Sequence, residues 1–284
     1  MAWQVLILIS IFFGSVCTLL QRVLLKDDVS DEKTYSVFFQ LLSGLIIGGF
    51  GLFFADMSFP SDLRPLAIGF ILMIVLYGFG NIFVFKALKK MEASRFTIIF
   101  SSKVFFTVFA SSWLLGEVLT LKQIIGTVLI IVGILLVNIK SAKLAFSKNE
   151  IIAVLAAASF GFGVSNDSFM LRTFNLYPYV CLAFVVPALF IMALNPYTIK
   201  NMKVFLKKDI MIKMLLLCFL YAIQAILFFT ALQMSKNSSR IASINLVGVI
   251  TTVLMAIVFL KEKDNLAQKL LGTVSSFIGL LLMT

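Results

Sequence analysis

The 284-residue chain has no histidine. That removes the side chain most often used as general base and metal ligand near neutral pH, and it argues against an intramembrane hydrolase. Cysteine is scarce too. Cys17, Cys181 and Cys218 lie inside apolar segments with no paired spacing, so they read as small packing residues rather than a disulfide or metal framework. Charged residues make up only 13%, against about 25% in a soluble domain. No polar stretch is long enough for a separate soluble domain, and no glycine-rich phosphate loop lies outside the apolar runs. Nucleotide-driven work and cofactor chemistry both lack the motifs they would need.

What the chain has instead is hydrophobicity. Apolar residues account for 61% and mean hydropathy is +1.08. Ten apolar runs stand out at about 3–25, 34–54, 66–88, 94–114, 121–139, 150–172, 177–194, 210–232, 239–260 and 267–283. Each is long enough to cross the hydrocarbon core as a helix. Backbone amides facing lipid must bond within their own segment, so these spans are expected to be α-helical. The first run has no basic region ahead of it and is read as a span rather than a cleaved signal. Pro187 falls inside span seven and is expected to kink it. The chain is thus expected to be an all-α polytopic membrane protein of ten transmembrane helices.

A repeat organises these spans. Tyr77, Ala87 and Leu88 return as Tyr221, Ala231 and Leu232 at an offset of 144 residues. Ser94, Arg95 and Glu117 return as Ser239, Arg240 and Glu262 at 145, and Gly126-Thr127-Val128 and Gly133 as Gly272-Thr273-Val274 and Gly279 at 146. The drift needs one extra residue in each of two polar loops, where insertions cost least. Two five-span units follow, over residues 1–140 and 150–284. Five is odd, so the second unit must enter the membrane from the opposite side. Such inverted repeats suit alternating access around a central site. Gly126 and Gly133 share one helix face, as do Gly272 and Gly279, which suggests close packing of span five on span ten.

In order and spacing, Phe85-Lys86-Ala87-Leu88, Ser94-Arg95, Leu115-Gly116-Glu117, Gly126 and Gly133 resemble the ten-helix, EamA-type branch of the drug/metabolite transporter superfamily. Ala231-Leu232, Ser239-Arg240, Leu260-Lys261-Glu262, Gly272 and Gly279 repeat the pattern, and Ala156-Ala157-Ala158-Ser159-Phe160-Gly161 resembles the start of that family's second repeat. The resemblance implies a metabolite carrier in a prokaryotic inner membrane, with a central cavity built mainly from spans one, three, four, six, eight and nine. It implies no particular substrate. Two fused repeats make a monomer sufficient, and a homodimer is compatible with them.

Charge placement departs from the family. The net charge is +11, but its lysines are spread over short loops with no basic domain to hold a duplex, so nucleic acid is not expected as a partner. Eighteen basic residues flank or occupy the odd loops, and five lie in the even ones (Arg64, Lys122, Arg172, Lys236, Arg240). The positive-inside rule puts the odd loops in the cytoplasm and both termini outside, whereas the family usually keeps its termini inside.

Ionisable groups inside spans are costly and are functional candidates by default. Lys103 lies near the middle of span four, too deep to snorkel, and is the candidate ligand for a substrate carboxylate or phosphate. Asp167 is the candidate coupling group, and Asn166 beside it a candidate contact. Tyr77 and Asn81 in span three, Tyr221 and Gln224 in span eight and Asn245 in span nine complete the expected substrate contacts. Phe105 and Phe228 are candidate apolar lining. Span one has no carboxylate from Leu6 to Leu20, so the acidic residue of the superfamily's four-helix multidrug members is absent. The favoured reading is a gradient-driven or facilitative carrier of a small organic metabolite, amino-acid-like or otherwise anionic or zwitterionic. A channel or a non-transporting scaffold is the alternative.

Overall fold

The structure, a computed structural model, describes residues 2–26, 30–115, 121–140, 143–144, 147–245, 247–262 and 265–283. Its first half contains α1 (Ala2–Lys26), α2 (Glu32–Phe54), α3 (Ala67–Lys90), α4 (Ala93–Phe100), α5 (Lys103–Leu115) and α6 (Leu121–Asn138). A two-residue antiparallel bridge, Ile139–Lys140 with Lys143–Leu144, follows. The second half contains α7 (Lys148–Met170), α8 (Leu176–Leu194), the short α9 (Tyr197–Asn201), α10 (Lys208–Ser235), α11 (Ser238–Asn245), α12 (Val247–Phe259) and α13 (Leu266–Met283).

Eight helical stretches among the described residues are long and apolar enough to cross a membrane, with α4–α5 and α11–α12 each counted as one. Helices α6 and α13, of 18 residues each, lie outside those eight. The outer surface is apolar: Leu52, Phe53, Phe54, Ile68, Trp113 and Phe259 are all strongly exposed, as a lipid-facing surface requires. Inside, Tyr35, Phe39, Phe85 and Phe205 are buried and meet largely edge to face, which satisfies the ring quadrupoles.

Contacts between the halves come in pairs. Helix α1 packs on α10 and α12, and α7 packs on α3 and α5. Helix α2 packs on α10 as α8 packs on α3; α2 also meets α8, and α6 runs along α13. Gly126, Gly133, Gly272 and Gly279 are all buried, and the Ser275 hydroxyl donates to Leu129 O at 2.9 Å between α6 and α13.

Span four differs from the unbroken helix expected over 94–114. It is interrupted at Ser101 and Ser102. The Ser101 hydroxyl donates to Ile98 O at 2.6 Å and that of Ser102 to Ile99 O at 2.9 Å, while the Ser102 and Val104 amides make short-range bonds to Ile99 O and Ser101 O. Adjacent serines competing for backbone carbonyls destabilise a regular ladder. The tightened turn leaves Lys103 as the first residue of α5.

At the end of the bundle carrying the odd loops, polar contacts join the halves. Buried Glu262 accepts from the Ala93 amide at 2.9 Å, the Ser94 amide at 2.9 Å and the Ser94 hydroxyl at 2.6 Å. A carboxylate of the second half thus caps the N-terminus of α4, satisfying donors with no intrahelical partner. Lys269 pairs with Glu92 at 2.7 Å and Arg95 with Glu150. Within the first half, Arg22 donates to Leu88 O and Lys89 O at 2.7 and 2.9 Å, joining α1 to the end of α3. Glu117, the counterpart of Glu262, lies outside the described residues.

Candidate functional site

A cavity of about 200 Å³ lies between the halves, lined from α1, α3, α4, α5, α7, α8, α10, α11 and α12. The linings correspond through the repeat. Tyr77 and Tyr221, Val84 and Phe228, Phe85 and Phe229, and Asn81 and Ala225 stand at the 144-residue offset; Phe100 and Asn245, and Lys103 and Gly248, stand at 145. Two aromatic positions are therefore shared, Tyr77 with Tyr221 and Phe85 with Phe229, while the other four pairs differ between copies. Asn81 faces a chamber whose matching wall carries Ala225, and the cation Lys103 corresponds to Gly248.

The Lys103 side chain is partly buried, with Nζ 4.9 Å from the centroid of the Phe100 ring, within cation–π reach. It makes no ion pair with any described residue. Asn81 donates to Tyr77 O at 2.9 Å, one turn back in α3. Gln224 donates to the Ser10 hydroxyl at 3.2 Å, and that hydroxyl donates to Gln224 O at 3.0 Å, locking α10 to α1. The Tyr221 ring stands edge-on to Phe39 and Phe184, with centroids 4.7 and 5.8 Å away. Together the walls offer one ammonium, amide and hydroxyl groups, and a ring of aromatics.

Lys103, Tyr77, Asn81, Tyr221, Gln224 and Asn245 all line this cavity. Asn166 does not. Its side chain is buried and donates to Gly69 O at 3.0 Å, tying α7 to α3. The reason is helical phase: Phe160 and Val164 give α7 its cavity stripe, and Asn166, two residues on, sits about 200° around the axis. Asp167 is fully buried beside the cavity wall; it accepts hydrogen bonds from Tyr179 at 2.6 Å and from Tyr77. Phe228 lines the cavity, whereas Phe105 is exposed and stacks on Phe109.

Several lining residues were not anticipated from sequence: Ser10, Gly14, Thr18 and Gln21 on α1, Thr97 on α4 and Thr252 on α12. The signal was present in α1. Small or polar residues recur there every three or four positions in an otherwise apolar helix, marking one face. That face meets the other half directly, through Thr252 donating to the Ser15 hydroxyl at 2.9 Å.

A partly open chamber between apolar helix bundles, with aromatic and polar side chains sharing its walls, suits a membrane protein that holds a small solute. Residues 1–139 and 147–284 each match the model of the EamA-like transporter family, so the chain belongs to that family. Membership makes it a membrane transporter of small molecules. In structure, 26 solved chains match. One, described only as a crystal structure of a protein, aligns with TM-score 0.58 at 12% identity, covering 100% of this chain and 96% of its own; that likeness concerns the fold alone. No curated protein matches the chain by sequence.

Proposed function

We propose that the protein is a secondary carrier for a small anionic or zwitterionic metabolite of about amino-acid size, working by alternating access between two inverted halves. The observation that carries this reading is the cavity itself: a small chamber lined from both halves, with the cation Lys103 on its wall and no carboxylate paired to it among the described residues. Its volume of about 200 Å³ is below the roughly 300–1,000 Å³ of drug-sized sites, which favours a metabolite over a bulky drug. Lys103 receives the substrate carboxylate or phosphate, and the amides of Asn81, Gln224 and Asn245 and the tyrosines Tyr77 and Tyr221 orient the rest.

Ten spans in two five-span units are the architecture this reading requires, with α6 and α13 as spans five and ten. The paired contacts between halves, unchanged when the halves are exchanged, support the repeat as a structural unit. Rocking of one half against the other then opens the chamber to either side in turn. The basic odd loops face the cytoplasm and both termini face outward; a C-terminal reporter active only in the cytoplasm tests this by staying silent.

Purified protein in liposomes, offered labelled amino acids and small carboxylates, should show saturable uptake of one class. Lys103→Met should abolish it while leaving chromatographic behaviour and melting unchanged. Unaltered uptake by that variant removes the substrate role of Lys103. Flux that never saturates indicates a channel, and none for any solute favours a scaffold.

A further inference from the structure

We propose that Asp167 binds the proton that couples transport to a proton gradient, and that Tyr77 links its protonation to the cavity. The inference rests on the carrier reading and adds the coupling ion to it. Asp167 is fully buried on α7. Its Oδ1 accepts from Tyr179 on α8 at 2.6 Å, and its Oδ2 accepts from Tyr77 on α3. The Tyr77 ring is at the same time part of the cavity wall, packed edge-on against Phe160 with centroids 5.3 Å apart. One side chain therefore touches both the substrate chamber and the buried acid.

The two hydrogen bonds differ in how they join the fold. Asp167 and Tyr179 belong to the second half and are 12 residues apart, whereas Tyr77 belongs to the first half, 90 residues away. Rocking of one half against the other keeps the Tyr179 bond, which lies within the second half, and parts α7 from α3, so the Tyr77 bond opens together with the Asn166 bond to Gly69 O. A carboxylate that loses one of two donors in a water-poor site is best stabilised by taking up a proton. The cycle balances simply. A proton from water on one side converts the carboxylate to the neutral acid when Tyr77 withdraws. It leaves to water on the other side when Tyr77 returns and again donates to the carboxylate.

Among the described residues no fixed cation neutralises the site. Facing it, α3 offers Tyr77 and α8 offers Tyr179. Beyond Tyr77 stands Tyr221 of α10, across the cavity. Lys103 of α5 holds its ammonium over Phe100, Arg95 of α4 pairs with Glu150 near the opposite end of α7, and Arg240 of α11 is exposed. A sodium ion would need several oxygen lone pairs directed at it, but here both carboxylate oxygens are engaged by phenol hydrogens. Gly163 makes the arrangement possible: a Cβ there would lie 2.9 Å from the Tyr77 hydroxyl and ring, so any larger residue pushes Tyr77 off its seat.

Infrared difference spectroscopy on the full chain in lipid, titrated with pH, tests the site without knowledge of the substrate. Wild type should gain a protonated-carboxyl band on acidification that Asp167→Asn lacks. Tyr77→Phe should show the same band at a pH higher by about one unit, a tenfold rise in proton affinity. A band that survives in Asp167→Asn overturns the proposal, as does a midpoint unmoved in Tyr77→Phe. The second variant carries the test alone if the first fails to fold. In liposomes given a mixture of labelled amino acids, an inward proton gradient should accelerate wild-type uptake several-fold and leave Asp167→Asn uptake unchanged. Uptake with no titrating carboxyl sinks the proton site and spares the carrier. A titrating carboxyl with no flux of any solute sinks the carrier, and the coupling with it.

Discussion

Replacing Glu262 by alanine should destabilise the protein by about 3–4 kcal/mol. The side chain is 9% exposed and accepts three hydrogen bonds, from the Ala93 and Ser94 amides and the Ser94 hydroxyl. A hydrogen bond to a charged group contributes about 1.5–3 kcal/mol, and a buried donor left unpaired costs about 1–3 kcal/mol. The Ser94 hydroxyl can turn to another acceptor, but the two amides at the start of α4 have no other partner in the helix, so the loss is set mainly by them. Glu262→Gln keeps one acceptor oxygen and sets an NH₂ group against a donor, giving an intermediate loss of about 2 kcal/mol. Thermal or denaturant unfolding in a fixed detergent should therefore rank wild type, then glutamine, then alanine. A cycle with Ser94→Ala should be non-additive, since the two side chains touch. If alanine falls within about 0.5 kcal/mol of wild type, the usual range for an unremarkable surface change, the cap contributes nothing and the reasoning fails.

Gly161→Ala places a Cβ 2.5 Å from Lys103 O and 2.5 Å from the Phe106 Cβ. Helices α5 and α7 must separate, costing about 1–3 kcal/mol, and uptake should fall with stability because Lys103 shifts; melting and flux measured together check this. Asn166→Leu removes the bond to Gly69 O, so stability should drop by about 0.6 kcal/mol while substrate affinity stays constant. Asp31 caps α2 through the Thr34 hydroxyl and the Lys33 and Thr34 amides. Burial raises its carboxyl, but those bonds and one from Asn201 outweigh it and hold it below the usual 3.8. Its contribution is complete above that value and fades as pH falls through the lower folded one; Asp31→Asn should flatten the acid limb of a stability–pH curve.

Hydropathy and the internal repeat, both properties read along the chain, determined that the protein is helical, membrane-embedded and built from two related units. They also singled out Lys103, Tyr77, Asn81, Tyr221, Gln224 and Asn245, because polar groups in apolar runs are costly wherever the helices finally lie. The tertiary structure decided the remainder. It turned Asn166 toward α3, although no sequence signal separates it from its neighbours, because the side that a helix offers to a cavity depends on which helices surround it. It brought Tyr77 and Tyr179 onto Asp167, and Glu262 onto the start of α4. Such bonds join residues on different segments of the chain, 12 to 169 positions apart, and local propensity carries no record of them. It also made the stripe of Ser10, Gly14, Thr18 and Gln21 meaningful, since small residues along one side of a helix gain a role only when another surface approaches them.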